Sequence, residues 1–155
     1  MMTDHPIPEE SWREIVRHVP IVSVDLLVRH EGGVVLGKRK NEPGRGEWFT
    51  PGGRVRKGET LDAATHRVAH QELGVAVDIE RRLGAYEHFW EGSEFDDVAT
   101  KQYLANGVIV RPREGSVTPD DQHSELRTFE PPFPDLHPYV EAYLRDAGLL
   151  DEPRD

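Results

Sequence analysis

The segment Gly53–Val75 constrains this chain more than any other. It sets Gly53, Glu59, Arg67, Glu72, Gly74 and Val75 at fixed intervals along a helical hydrophobic pattern. Leu61, Ala64, Val68 and Leu73 recur at roughly the spacing of one helix face. Thr60 supplies an N-cap hydroxyl, Asp62 places an acid in the first turn, and Gly74 supplies a helix stop. A tight Gly52-Gly53 turn leads into this helix. Positions 68, 71 and 72 are related by i, i+3 and i+4, which predicts one shared face. Of their occupants Val68, Gln71 and Glu72, only Glu72 is anionic.

This spacing resembles the Nudix box, G-x5-E-x7-R-E-U-x-E-E-x-G-U, where U is aliphatic. The chain departs from it in placing Val68 and Gln71 where two glutamates belong, and Ala69 at the first aliphatic position. The usual box holds several magnesium ions against a diphosphate with three carboxylates, so the resemblance implies an altered metal site. A single hard cation is still compatible with one carboxylate plus neutral oxygens, because magnesium keeps several of its waters.

Further phrases narrow the resemblance. Val22-Ser-Val-Asp25, Leu36-Gly-Lys-Arg39-Lys-Asn41, Trp48-Phe-Thr-Pro-Gly-Gly-Arg54-Val55 and Pro119-Asp-Asp-Gln122-His123 are similar to the GDP-mannose mannosyl hydrolase branch of the Nudix superfamily. The likeness runs from about residue 9 to 145. It implies Mg2+-dependent hydrolysis of a nucleotide sugar by attack of water at the anomeric carbon, with GDP-mannose first and GDP-glucose second as candidates. It also implies roles: His123 as base and Arg39 as the residue stabilising the leaving diphosphate. Gly52 (through its carbonyl), Glu72 and Gln122 match ligands of one Mg2+ or Mn2+ ion. Asp25, Arg54, His88 and Tyr103 match substrate contacts, and Glu59 and Arg67 support loop and helix. A homodimer is implied as well, for which Trp12, Ile15 and Val16 offer an apolar patch.

A neutral histidine accepts a proton near neutral pH, whereas a lone histidine is usually a surface or hydrogen-bonded residue. Asp25 sits in an apolar strand, where a carboxylate is costly unless paired or set in a cleft. His88 and Tyr103 fit a core or strand-edge role as readily as a binding one, and Trp48 fits packing better than base stacking. His66 and His70 have metal-ligand spacing but fall away from the Glu72 face, on the solvent side.

The net formal charge of −10 argues against non-specific nucleic-acid binding. Residues 38–57 invert that balance, with seven Lys and Arg against two Glu, and read as an anion site or a solvated loop. There is no cysteine and no apolar run of membrane-spanning length, and the Met-Met-Thr-Asp-His start lacks a signal core, so a cytoplasmic protein is expected.

The 155 residues suit one domain. An N-terminal helix is predicted at about 9–18 and a C-terminal helix at about 138–148. Strands are predicted through Val22–Val28, Val34–Leu36, 75–80, 83–90, 101–111 and 125–130, with an extended piece at Trp48–Pro51 and a stiff connector at Pro131, Pro132 and Pro134. This order fits an α+β Nudix fold, an α/β/α sandwich around a mixed β-sheet. Two other functions compete with the leading one. A phosphoanhydride hydrolase acting on ADP-ribose or a related compound would recruit acids such as Asp120, Asp121 and Glu125. A non-catalytic nucleotide-sugar-binding protein would have no use for a base.

Overall fold

A computed structural model describes residues 7–113 and 125–151. Asp120, Asp121, Gln122 and His123 lie outside them. Helix α1 spans Glu9–His18, followed by strands β1 (Ile21–His30), β2 (Gly33–Lys38), β3 (Trp48–Phe49) and β4 (Gly52–Arg54). Helix α2 is Leu61–Leu73; then come β5 (Val77–Glu91), β6 (Thr100–Pro112), β7 (Leu126–Phe129) and α3 (Pro138–Asp146).

The strands form one sheet in the order β3-β2-β1-β6-β5, with β4 also pairing β1 and β7 pairing β2. The β1–β6 ladder is parallel and the rest are antiparallel, so the sheet is mixed. Side chains alternate across β1 and split the core into two layers. Val24, Leu26 and Val28 face α2, packing with Val68, Leu73, Val108 and Val110. Leu27 faces α3 with Leu36, Phe49, Ile109, Val140 and Leu144. Each fully buried leucine contributes about 2 kcal/mol of hydrophobic stabilisation. The expected sandwich is the observed one.

The predicted caps of α2 are present. Thr60 Oγ1 accepts from the Ala63 amide at 3.0 Å, and Gly74 ends the helix with φ 71°. His66 and His70 are exposed, as expected.

Two expectations need correction. The strands expected at 75–80 and 83–90 are one strand, β5, whose ladder absorbs irregularities between Ile79 and Arg81 and between Arg82 and Gly84. The expected gap at 81–82 is paired instead, with Arg81 opposite Ile109 and Arg82 opposite Val108, and Gly84, with φ 119°, sits at the second irregularity. Helix α3 stops at Asp146, short of 148, and the chain turns at Gly148 with φ 78°. Within the chain, the apolar residues of α1 pack on its neighbours: Val16 is buried against Ile21, Phe95 and Val98, with Trp12 and Ile15 half-buried alongside. Arg13 and Arg17 both pair with Asp97, the latter at 2.9 Å, pinning α1 to the β5–β6 connection.

Candidate active site

A cavity of about 260 Å³ opens where β1, β4, β5, β6 and the end of α2 meet. Asp25, Arg39, Gly52, Arg54, Glu72, His88 and Tyr103 all line it, so every described residue expected at the site is gathered there. Gln122 and His123 fall outside the described residues.

The cavity floor is set by two adjacent strands. Asp25 on β1 is in register with Gly52 on β4, and a side chain on Gly52 would collide with the Asp25 carboxylate and the Val24 carbonyl. Only glycine lets the two strands close at that point. Asp25 is 8% exposed and accepts a 2.7 Å hydrogen bond from the Tyr143 hydroxyl. Burial raises its pKa to about 6 against the opposing influence of Tyr143 and Arg39. His88 Nδ1 lies 3.8 Å from the Asp25 carboxylate, and its ring stacks on Tyr139 at 4.1 Å and 8°. Burial, with His137 adding to it, lowers the His88 pKa to about 4. His88 is therefore a neutral ring at physiological pH, and the 3.8 Å approach is not an ion pair.

The raised Asp25 pKa has a consequence for stability. Between 3.8 and about 6 the native protein binds a proton that the unfolded chain releases, so stability falls as pH rises through that window. Asp25→Asn keeps an acceptor for Tyr143 and removes the buried charge. Urea denaturation is expected to show it more stable than the parent by about 2–3 kcal/mol at about pH 8, and nearly equal at about pH 4. Equal differences at both pH values would contradict this account.

Box residues that do not line the cavity shape the segment that does. Arg67 binds Glu59 through Nε at 2.6 Å and Nη2 at 2.9 Å, and its Nη2 also donates to the Arg54 carbonyl at 2.7 Å. Glu59 in turn accepts from the Arg56 amide at 3.0 Å. The Arg67 guanidinium holds the Glu59 carboxyl below the usual carboxylate range. This pair ties the Gly52–Lys57 loop to α2, the supporting role expected of it.

Positions 68, 71 and 72 lie on one flank of the regular helix α2, as i, i+3 and i+4 require, but their side chains end in different surroundings. Val68 is 1% exposed and packs under Gly53. Gln71 is exposed and accepts a 2.9 Å hydrogen bond from Arg67. Glu72 alone reaches the cavity, with its Oε2 atom buried. Side-chain length and packing divide three positions that spacing alone groups together.

Arg39 projects from the β2–β3 loop with its Nε donating to the Pro43 carbonyl at 2.6 Å, and Lys38, Lys40 and Arg54 add positive charge around the same cavity. The basic segment thus brings four cationic side chains to the cavity. Trp48 packs edge-on against Phe129 at 5.2 Å, the core role expected of it. Sequence reasoning missed Ile21, Ser23, Trp12, Trp90 and Tyr143. Ile21 and Ser23 share Asp25's side of β1, so strand periodicity would have found them. No local signal marks Tyr143.

A NUDIX domain model matches residues 19–147. The chain belongs to the Nudix family. It is similar to the "low-salt glycan biosynthesis protein Agl8" of Haloferax volcanii, with 56% identity over 138 residues, covering 89% of this chain and 88% of that protein. A shorter match joins this Nudix chain to an ADP-ribose pyrophosphatase of Methanocaldococcus jannaschii, 37% identical over 67 residues, or 43% of this chain and 40% of that one. Among solved structures, a MutT NUDIX hydrolase from Burkholderia pseudomallei has a TM-score of 0.65 at 23% identity, covering 82% of this chain and 97% of that one. A UDP-X diphosphatase has a TM-score of 0.64 at 16% identity, covering 92% and 72%. At such identities these structures establish the fold.

Nudix hydrolases act on small-molecule nucleotide derivatives and generally use a divalent metal such as Mg2+. The donor set of this Nudix site fits one hard cation. Glu72 brings a carboxylate with a buried oxygen, and the adjoining Gly52 is kept free of any side chain. Among the described residues no three His, Asp or Glu side chains cluster as a metal site. No helix among them is long and apolar enough to cross a membrane.

Proposed function

We propose that this Nudix protein hydrolyses a nucleotide sugar, of the GDP-mannose or GDP-glucose type, to free hexose and nucleoside diphosphate. Water attacks the anomeric carbon. The observation that carries this reading is the single box carboxylate in the cavity. Val68 is committed to the core and Gln71 to Arg67, so α2 lacks the acids that hold several metal ions on a diphosphate. Cleavage at carbon asks less of the metal, because the diphosphate departs intact.

The chain's residues divide the work accordingly. Arg39 and Arg54, with Lys38 and Lys40 beside them, receive the diphosphate and stabilise its charge as it leaves. Asp25 and the neutral His88 offer hydrogen-bonding groups to the substrate at the cavity floor. Glu72, the Gly52 carbonyl and Gln122 would hold one Mg2+. When bound, that ion supplies Lewis-acid stabilisation of the departing diphosphate. His123, by the resemblance above, takes the proton from the attacking water. The relative involved in glycan biosynthesis suits a sugar-bearing substrate.

A phosphoanhydride hydrolase is the second reading, favoured by the ADP-ribose pyrophosphatase relative. Turnover of nucleotide sugars in 18O-labelled water with Mg2+ decides between them. Label in the hexose is expected. Label in phosphate would establish the second reading, and no turnover across a nucleotide-sugar panel would leave a binding protein.

A further inference from the structure

The guanidinium assigned to the departing diphosphate sits on a loop that closes around it. Beyond the β2–β3 pairing, the Arg39 amide donates to the Glu47 carbonyl at 3.0 Å and the Arg39 carbonyl accepts from the Gly46 amide at 2.9 Å. The Glu47 amide donates in turn to the Gly44 carbonyl at 3.0 Å. The Arg39 side chain folds back over this loop, with Nε bound to the carbonyl of the buried Pro43 at 2.6 Å. Among the described residues Nε is the one bonded nitrogen of that side chain, which leaves Nη1 and Nη2 as donors for phosphate oxygens.

Trp90 stands on the other side of Gly44. Its indole is wedged against Phe49 at 5.6 Å, His137 at 4.9 Å and Tyr139 at 5.4 Å between ring centroids, so β3 and the start of α3 fix it. The Arg39 guanidinium carbon lies 6.0 Å from the indole centroid. A methyl group on Gly44 would stand 3.1 Å from Cζ3 of Trp90 and 3.3 Å from both Cδ and Nε of Arg39. The indole, held by its neighbouring rings, cannot retreat. The arginine stem can, at the expense of its bond to Pro43. Gly46 offers a contrast: its φ of 86° matches the 79° of Gly44, yet nothing lies within 4 Å of where its side chain would begin. Backbone conformation asks for glycine at both positions, and Arg39 asks for it only at Gly44.

We propose that Gly44 and Trp90 are positioning residues, a cradle that holds the Arg39 guanidinium ready for a diphosphate before the ligand arrives. An arginine on an open loop gives up its rotamer freedom when it binds; here folding has already removed it. The inference deepens the proposed function and rests on it for the place of Arg39 at the diphosphate.

Calorimetric titration of the intact protein with inorganic pyrophosphate, in the presence of Mg2+, tests this with two variants of comparable backbone strain. Gly44→Ala is expected to weaken binding by about 5- to 30-fold, the scale of one arginine's rotamer freedom, and Gly46→Ala by less than about twofold. In an Arg39→Ala background, where Lys38, Lys40 and Arg54 remain at the cavity, Gly44→Ala is expected to add no further loss. The side-chain Nε–H resonance of Arg39, identified by its absence from Arg39→Ala, is expected to survive Gly46→Ala and to lose its protection from exchange in Gly44→Ala. Trp90→Phe is expected to show a smaller loss that also vanishes without Arg39, and it decides the case if Gly44→Ala does not fold. Equal effects of the two glycine substitutions would overturn the cradle, as would losses that persist without Arg39. The titration involves no turnover. A protein that shows the Arg39-dependent loss but releases no free hexose would refute the proposed reaction and leave the cradle standing.

Discussion

Glu72→Gln is expected to lower Mg2+-dependent turnover by about 10²- to 10³-fold while the melting temperature stays close to that of the parent. A bound divalent ion supplies several kcal/mol of charge stabilisation in the transition state, and about 1.4 kcal/mol is tenfold in rate. Glu72 is the one box residue whose carboxylate enters the cavity, and a neutral amide is a weak ligand for a hard cation. The substitution conserves shape at a half-buried position of α2, so the caps and core contacts of that helix persist. Steady-state rates across a Mg2+ titration, paired with thermal melts, measure both parts. A near-parental rate with unchanged metal dependence would move the metal site to Asp120, Asp121 or Glu125.

The other large effect belongs to His123. As the base for attack on carbon, its replacement by glutamine is expected to reduce kcat by about 10²- to 10⁴-fold with a modest change in KM. Direct displacement by water also inverts the anomeric configuration, since no covalent intermediate intervenes. Proton NMR of the first sugar released, read before mutarotation, reports this directly. Retained configuration would exclude a single displacement, and a sugar phosphate among the products would exclude attack at carbon altogether.

How far such a site can be read in advance depends on whether its determinants are local. Helix α2 was legible because its boundaries are chemical: a Thr60 hydroxyl at one end and a left-handed Gly74 at the other. Asp25 stood out as a carboxylate within an apolar strand, and its burial bears that out. The basic segment stood out by charge. Wherever the determinant is a distant partner, the signal fails. The apolar stripe of α1 is visible in sequence, but Phe95 and Val98, which cover it, are not predictable from α1 itself. Spacing grouped positions 68, 71 and 72, yet packing beneath Gly53 and the pull of Arg67 separate them.

The hydrogen bond from Tyr143 to Asp25 joins residues 118 apart in the chain, whereas among the described residues all those lining the cavity lie between Trp12 and Tyr103. During synthesis the chain emerges N-terminus first, at about 5–20 residues per second. A nascent chain thus carries the whole box and the described cavity lining while the Asp25 carboxylate still lacks the Tyr143 hydroxyl. Seconds of translation separate possession of the site's residues from possession of the site. A ribosome halted before Tyr143 would leave the buried Asp25 carboxylate without the one side-chain hydroxyl that reaches it from α3.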